Sequence, residues 1–171
     1  LGIVRAHGGG VIVGGGSGRG ASFRVLIPEA TEGARAHDSA PPSVRPWQGS
    51  GTLLLVDDEK LVRAASRRML KRLGFDVLEA EDGRQCVELF AEHAHSIRAV
   101  LLDLSMPRMG GEEALQHLRR IDPKVPVLLT SGYDEQQLSA KWTDQHAVAF
   151  IQKPYEARAL SRKLRSLLEP G

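Results

Sequence analysis

From residue 53 onward, short apolar runs alternate with longer stretches whose apolar positions recur every three or four residues. The runs fall at 53–57, 75–79, 99–103, 126–130 and 147–151, and three of them are nearly unbroken, as in Leu53-Leu54-Leu55-Val56 and Ala99-Val100-Leu101-Leu102. Near-continuous apolarity over five residues is the pattern of a strand covered on both faces. Between the runs, Leu61, Ala65, Met69 and Leu73 step by four, and Gly74 stands where a helix C-cap is expected. Val87, Phe90 and Ala91 give a second helix its apolar face. Ala114, Leu115 and Leu118 give a third, closed by Pro123. A weaker pattern near 134–142 predicts a fourth. Leu160, Leu164, Leu167 and Leu168 form the last stripe, leaving Arg158, Arg162 and Arg165 for solvent. Strict alternation of strand and helix predicts a doubly wound α/β sandwich with a five-stranded parallel sheet.

The first 50 residues have a different texture. They hold 11 of the 18 glycines, and residues 30–51 lack any hydrophobic period while carrying Pro41, Pro42 and Pro46. That segment reads as a linker, which divides the chain into 1–29, 30–51 and 52–171. No apolar run exceeds four or five residues, far short of the roughly 20 a membrane helix needs. Leu1 is not an initiator Met and no leader pattern follows it, so the chain is expected to be a piece of something longer.

Charge narrows the partners. The net +2 arises in the first 50 residues, and the remainder balances 18 cations against 18 acids. With eight aromatics in all, there is neither a basic footprint nor a stacking platform, so no nucleic-acid partner is expected, and no membrane contact. Cys86 is the sole cysteine, so no internal disulfide forms and a reducing cytoplasm is the expected compartment.

The acids fall at strand ends. In open parallel sheets the binding crevice lies beyond the carboxyl ends of the strands, where strand order reverses. The first run ends in Asp57-Asp58-Glu59 and the third in Asp103. Taken singly, such acids are ordinary helix caps or turn residues. If the two strands are neighbours, several carboxylates converge, and their repulsion calls for a raised pKa or a hard cation. Oxygen-only donors without Cys or His suit Mg²⁺. Two further strand ends bring Thr130-Ser131 and Lys153, a hydroxyl and an ammonium fit to surround a tetrahedral oxyanion.

In order and spacing, these residues resemble the receiver domain of two-component response regulators. The resemblance runs from about Thr52 to Leu168. It rests on Leu55-Val56-Asp57-Asp58-Glu59, Leu102-Asp103-Leu104-Ser105-Met106-Pro107 with Met109-Gly110-Gly111, Pro126 through Ser131-Gly132, and Phe150-Ile151-Gln152-Lys153-Pro154. It implies the flavodoxin-like receiver fold with strand order 2-1-3-4-5. It also implies Asp103 as phosphoacceptor and Mg²⁺ held by Asp57, Asp58, Asp103 and the backbone carbonyl of Ser105. Ser131 would be the switch hydroxyl, Lys153 the partner of the phosphoryl group, with a cis bond to Pro154, and Phe150 the aromatic that swings inward on activation. The phosphoryl partner would be a histidine kinase or a histidine phosphotransfer protein. One departure is His146-Ala147, where the family usually has Gly-Ala.

Residues 1–29 are similar to the end of a histidine-kinase ATP-binding domain, with Val11-Ile12-Val13 paired to Phe23 through Ile27. This implies the C-terminal part of a hybrid sensor histidine kinase. The parts that hold ATP are missing, so the fragment is expected not to bind nucleotide, and signalling is expected to pass by protein contact. Two rivals differ in class. An aspartate-nucleophile phosphatase needs a second Asp two residues after the nucleophile, where Ser105 stands. A receiver-like interaction module would not be phosphorylated at all. His93, His95 and His117 show no metal spacing and read as solvated helix residues.

Overall fold

All five apolar runs become strands of one parallel sheet. A computed structural model of the chain describes residues 4, 9–15, 20–28, 47–132 and 147–169. It divides into two compact units, Leu1–Arg45 and Pro46–Gly171. In the first, β1 (Gly10–Gly14) pairs antiparallel with β2 (Ser22–Leu26), Val11 opposite Val25 and Val13 opposite Phe23. Ile12, Val13, Phe23, Val25, Leu26 and Ile27 of this hairpin all remain exposed.

The second unit runs β3 (Thr52–Val56), α1 (Lys60–Arg72), β4 (Asp76–Ala80), α2 (Gly83–His93), β5 (Ile97–Asp103), α3 (Gly111–Ile121), β6 (Val127–Ser131), β7 (Val148–Gln152) and α4 (Ala157–Leu168). The sheet order is β4-β3-β5-β6-β7, and all four pairings are parallel. Numbered within this unit, that is the expected 2-1-3-4-5. The weak helix expected near 134–142 lies outside the described residues. Among the described residues, no helix is long and apolar enough to cross a membrane.

Period-two alternation sorts the strand side chains onto two cores. Leu54, Val56, Val100, Leu102, Val127 and Leu129 face Cys86 and Phe90 of α2 and Ala114, Leu115 and Leu118 of α3. Leu53, Leu55, Ala99, Leu101 and Leu128 face Leu70 of α1 and Leu160 and Leu164 of α4. Each fully buried leucine contributes about 1.5–3 kcal/mol relative to exposure, so the central strands β3, β5 and β6 carry most of the cohesion. Because β3 has β4 on one side and β5 on the other, strand order reverses between β3 and β5, and a crevice opens at their carboxyl ends.

Two helices differ from their expected faces. In α1 the buried residues are Ser66 and Leu70, whereas Leu61 is 85% exposed. The step-of-four stripe therefore lines the core only in its second half, where Met69 and Leu73 pack against it half-buried. Burial of Ser66 is made tolerable by a hydrogen bond between its hydroxyl and that of Tyr155 at 2.8 Å, a partner 89 residues away. In α2 the core face is Gly83, Cys86 and Phe90, and Ala91 is exposed. At the end of α1, Gly74 adopts φ +95°, the left-handed turn that ends the helix as expected.

Candidate functional site

Each predicted strand end arrives at the same edge of the sheet. Asp57 directly follows β3, and its amide donates to the carbonyl of Ala80 at 3.2 Å. Its carboxylate accepts the Glu59 amide through Oδ1 at 2.9 Å and the Lys153 ammonium through Oδ2 at 2.7 Å. Asp103 closes β5, where its Oδ2 lies 2.9 Å from Lys153 Nζ and its Oδ1 accepts the Ser105 amide at 3.3 Å. Lys153 is carried there by β7, whose end is pinned by donation from the Lys153 amide to the Ser131 carbonyl at 2.7 Å. The Lys153–Pro154 bond is cis.

Two of the three acids are buried, and all three are crowded. Asp57 is 2% exposed and Asp103 3%. One carboxylate oxygen from each of Asp57, Asp58 and Asp103 lies within 4.8 Å of the others. Neither Asp57 nor Asp58 caps α1, because the N-cap position is Glu59, without a side-chain cap. Burial works against the Lys153 ammonium, but its hydrogen bonds and charge contacts with Asp57 and Asp103 outweigh that and raise its pKa above the ordinary lysine value. The oxygen-only donor set and close spacing fit a hard divalent cation.

The remaining predicted residues are placed as follows. Register puts Thr130 opposite Asp103 and Ser131 opposite Gln152, and both hydroxyl residues are buried at the strand edge. Phe150 is 7% exposed and belongs to the core that faces α2 and α3, so its ring is already inside in this conformation. Gly111 opens α3 directly beneath the site, where a Cβ would come within 2.2 Å of the Asp103 carbonyl oxygen.

Sequence reasoning missed the cleft that leads to Asp103. It has a volume of about 840 Å³ and is walled by Leu61, Val62, Ala65 and Met69 of α1 and by Pro154 and Tyr155. The apolar stripe of α1 lines this opening. Burial, together with the charges of Asp57 and Asp103, raises the pKa of the Tyr155 phenol against the opposing effects of Ser66 and Lys153, which keeps it neutral.

Comparison with known proteins agrees with this geometry. Residues 53–165 match the response regulator receiver domain model. The chain is 30% identical over 176 residues to the sensor kinase CckA of Brucella abortus, a match covering 98% of this chain and 18% of that protein. The chain thus spans about a fifth of that relative's length. The receiver domain from the hybrid histidine kinase CckA superposes with TM-score 0.59 at 30% identity, covering 70% of this chain and all of that one. The CheX–CheY–BeF3–Mg complex from Borrelia burgdorferi superposes with TM-score 0.64 at 25% identity, covering 68% and 88%. The chain belongs to the response regulator receiver domain family.

Proposed function

We propose that residues 52–171 form a phosphoacceptor receiver of a two-component phosphorelay, taking a phosphoryl group from a phosphohistidine onto Asp103. The observation that carries this reading is one half-buried ammonium, Lys153, bonded at once to Asp57 and Asp103 at the strand edge, beside Asp58. Asp57, Asp58, Asp103 and the Ser105 carbonyl would hold Mg²⁺. When bound, the ion supplies charge neutralisation for the acids and for the transferring phosphoryl oxygens.

The protein's own groups do the rest. The Lys153 ammonium, 2.9 Å from Asp103 Oδ2, orients the carboxylate that serves as the nucleophile. One carboxylate oxygen attacks phosphorus in line with the imidazole nitrogen of the donor. A P–O bond forms as the P–N bond breaks, and the electron pair returns to the imidazole. Lys153 then follows the new phosphoryl oxygens. Ser131, buried at the end of β6, would donate to another of them and draw its loop inward, behind which the Phe150 ring is already packed. The apolar walls of the cleft, Leu61 foremost, suit docking of the donor protein's helix beside the carboxylate.

The larger context follows from the first unit. A two-stranded hairpin with exposed apolar residues lacks the core needed to stand alone. Its sequence is similar to the end of a kinase ATP-binding domain, and the resemblance to CckA continues through it. We read residues 1–29 as that tail, 30–51 as the linker, and the whole as the C-terminal part of a cytoplasmic portion of a hybrid sensor histidine kinase. Phosphoramidate, whose P–N bond mimics phosphohistidine, tests the reaction. With Mg²⁺ it should add one phosphoryl group to the wild type, and none to Asp103→Asn or in the presence of EDTA. A folded wild type that stays unlabelled would instead support a non-phosphorylated interaction module.

A further inference from the structure

Helix α1 opens Lys60-Leu61-Val62-Arg63, two cations and no acid in its first turn. This opposes the helix dipole, which favours acids there by about 0.3–1 kcal/mol each. Such a local conflict needs a compensating contact, and Arg63 has one on each side. Its Nη1 donates to the Asp57 backbone carbonyl at 2.5 Å, and its Nε lies 3.8 Å from Glu79 Oε2 on β4. Glu79 is held in turn by Arg67 Nε at 3.1 Å. The guanidinium is largely buried, with its side chain 15% exposed.

The contact falls at a decisive place. The Asp57 amide is already fixed to Ala80 of β4 and its carboxylate to the Glu59 amide. The Asp57 carbonyl begins the peptide that leads to Asp58, and it accepts the Arg63 guanidinium. The segment between sheet and helix is thereby tied to β4 through Ala80 and to α1 through Arg63.

We infer that Arg63 is a positioning residue for the metal site, holding the Asp57–Asp58 peptide so that the two carboxylates stay aimed at Asp103, with Glu79 orienting its guanidinium. The inference rests on the reading of these acids as a divalent-cation site. Charge and position predict opposite signs. If Arg63 acted only through its charge, removing that cation from beside the acids would tighten metal binding. If it acts by holding the ligands, removal weakens binding by about ten-fold, the lower end of the loss seen when a group supporting a ligand is deleted.

The test is Mn²⁺ titration of the full chain by electron paramagnetic resonance. It compares wild type with Arg63→Met, Arg63→Lys and Glu79→Gln, beside thermal unfolding of each without metal. Arg63→Met should bind Mn²⁺ about ten-fold more weakly. Arg63→Lys should recover part of that loss, since one donor can still reach the carbonyl. Glu79→Gln should weaken binding by a smaller factor in the same direction. Unchanged or tighter binding by folded Arg63→Met overturns the inference. If that variant does not fold, unchanged binding by Glu79→Gln does so. A wild type that binds no Mn²⁺ would overturn the metal-site reading itself, a result separable from a failure confined to Arg63.

Discussion

Lys153 stands between Asp57 and Asp103 at 2.7 and 2.9 Å, so one ammonium balances two buried carboxylates. Removing it leaves both acids without that partner. Lys153→Met should therefore cost roughly 1–3 kcal/mol of stability in metal-free urea unfolding, and Mg²⁺ should stabilise the variant more than the wild type. The pH dependence has a definite sign. Folding raises the pKa of Lys153, so its contribution is complete below the ordinary lysine value of 10.5 and is lost as pH climbs through the higher folded value. The gap between wild type and Lys153→Met should hold constant in neutral buffer and close only in strong alkali. A gap that closes toward neutral pH would contradict the ion-pair account. Ser131 and Phe150 are each already buried before any phosphoryl group arrives, so the Phe150 ring has no inward swing left to make from this conformation.

At the scale of elements, the site depends on how closely α3 approaches the end of β5. Gly111 makes that approach possible, because any Cβ there would meet the Asp103 carbonyl at 2.2 Å. Gly111→Ala should destabilise the domain by at least about 1–3 kcal/mol through overpacking. It should also slow labelling of Asp103 under conditions where the protein remains folded. Normal labelling with normal stability would show that the strand end tolerates displacement. The strands were legible from their runs to within a residue or two, because burial on both faces leaves an unbroken apolar signal. Asp57, Asp58, Asp103, Ser131 and Lys153 were legible as a group because four strand ends carry chemistry on one edge. The rotation of α1 was not. Its apolar stripe at Leu61, Ala65, Met69 and Leu73 reads as a core face, yet Leu61 and Ala65 wall the cleft and only Met69 and Leu73 pack on the core, while Ser66 goes inside on the strength of Tyr155, 89 residues away. Pairings of that separation leave no mark on local periodicity. The support that Arg63 gives to Asp57 was hidden for the same reason, although a basic first turn was a visible irregularity.

At the scale of the molecule, the chain divides into two compact units, Leu1–Arg45 and Pro46–Gly171, and each has a different claim to independence. The second has two cores on either face of a five-stranded sheet. A protein comprising residues 46–171 should keep the melting temperature and labelling rate of the full chain, measured side by side. Loss of either would mean that the first unit contributes to the receiver's fold or site. The central claim concerns one atom, the Asp103 carboxylate oxygen that receives phosphorus. Its most direct test is to treat the full chain with acetyl phosphate and Mg²⁺, reduce with borohydride, and map the peptides by mass. Borohydride converts an aspartyl phosphate to homoserine. Conversion is expected at position 103 and at no other acid of the cluster; conversion at Asp57 or Asp58, or none in the folded protein, would rule out Asp103 as the phosphoacceptor.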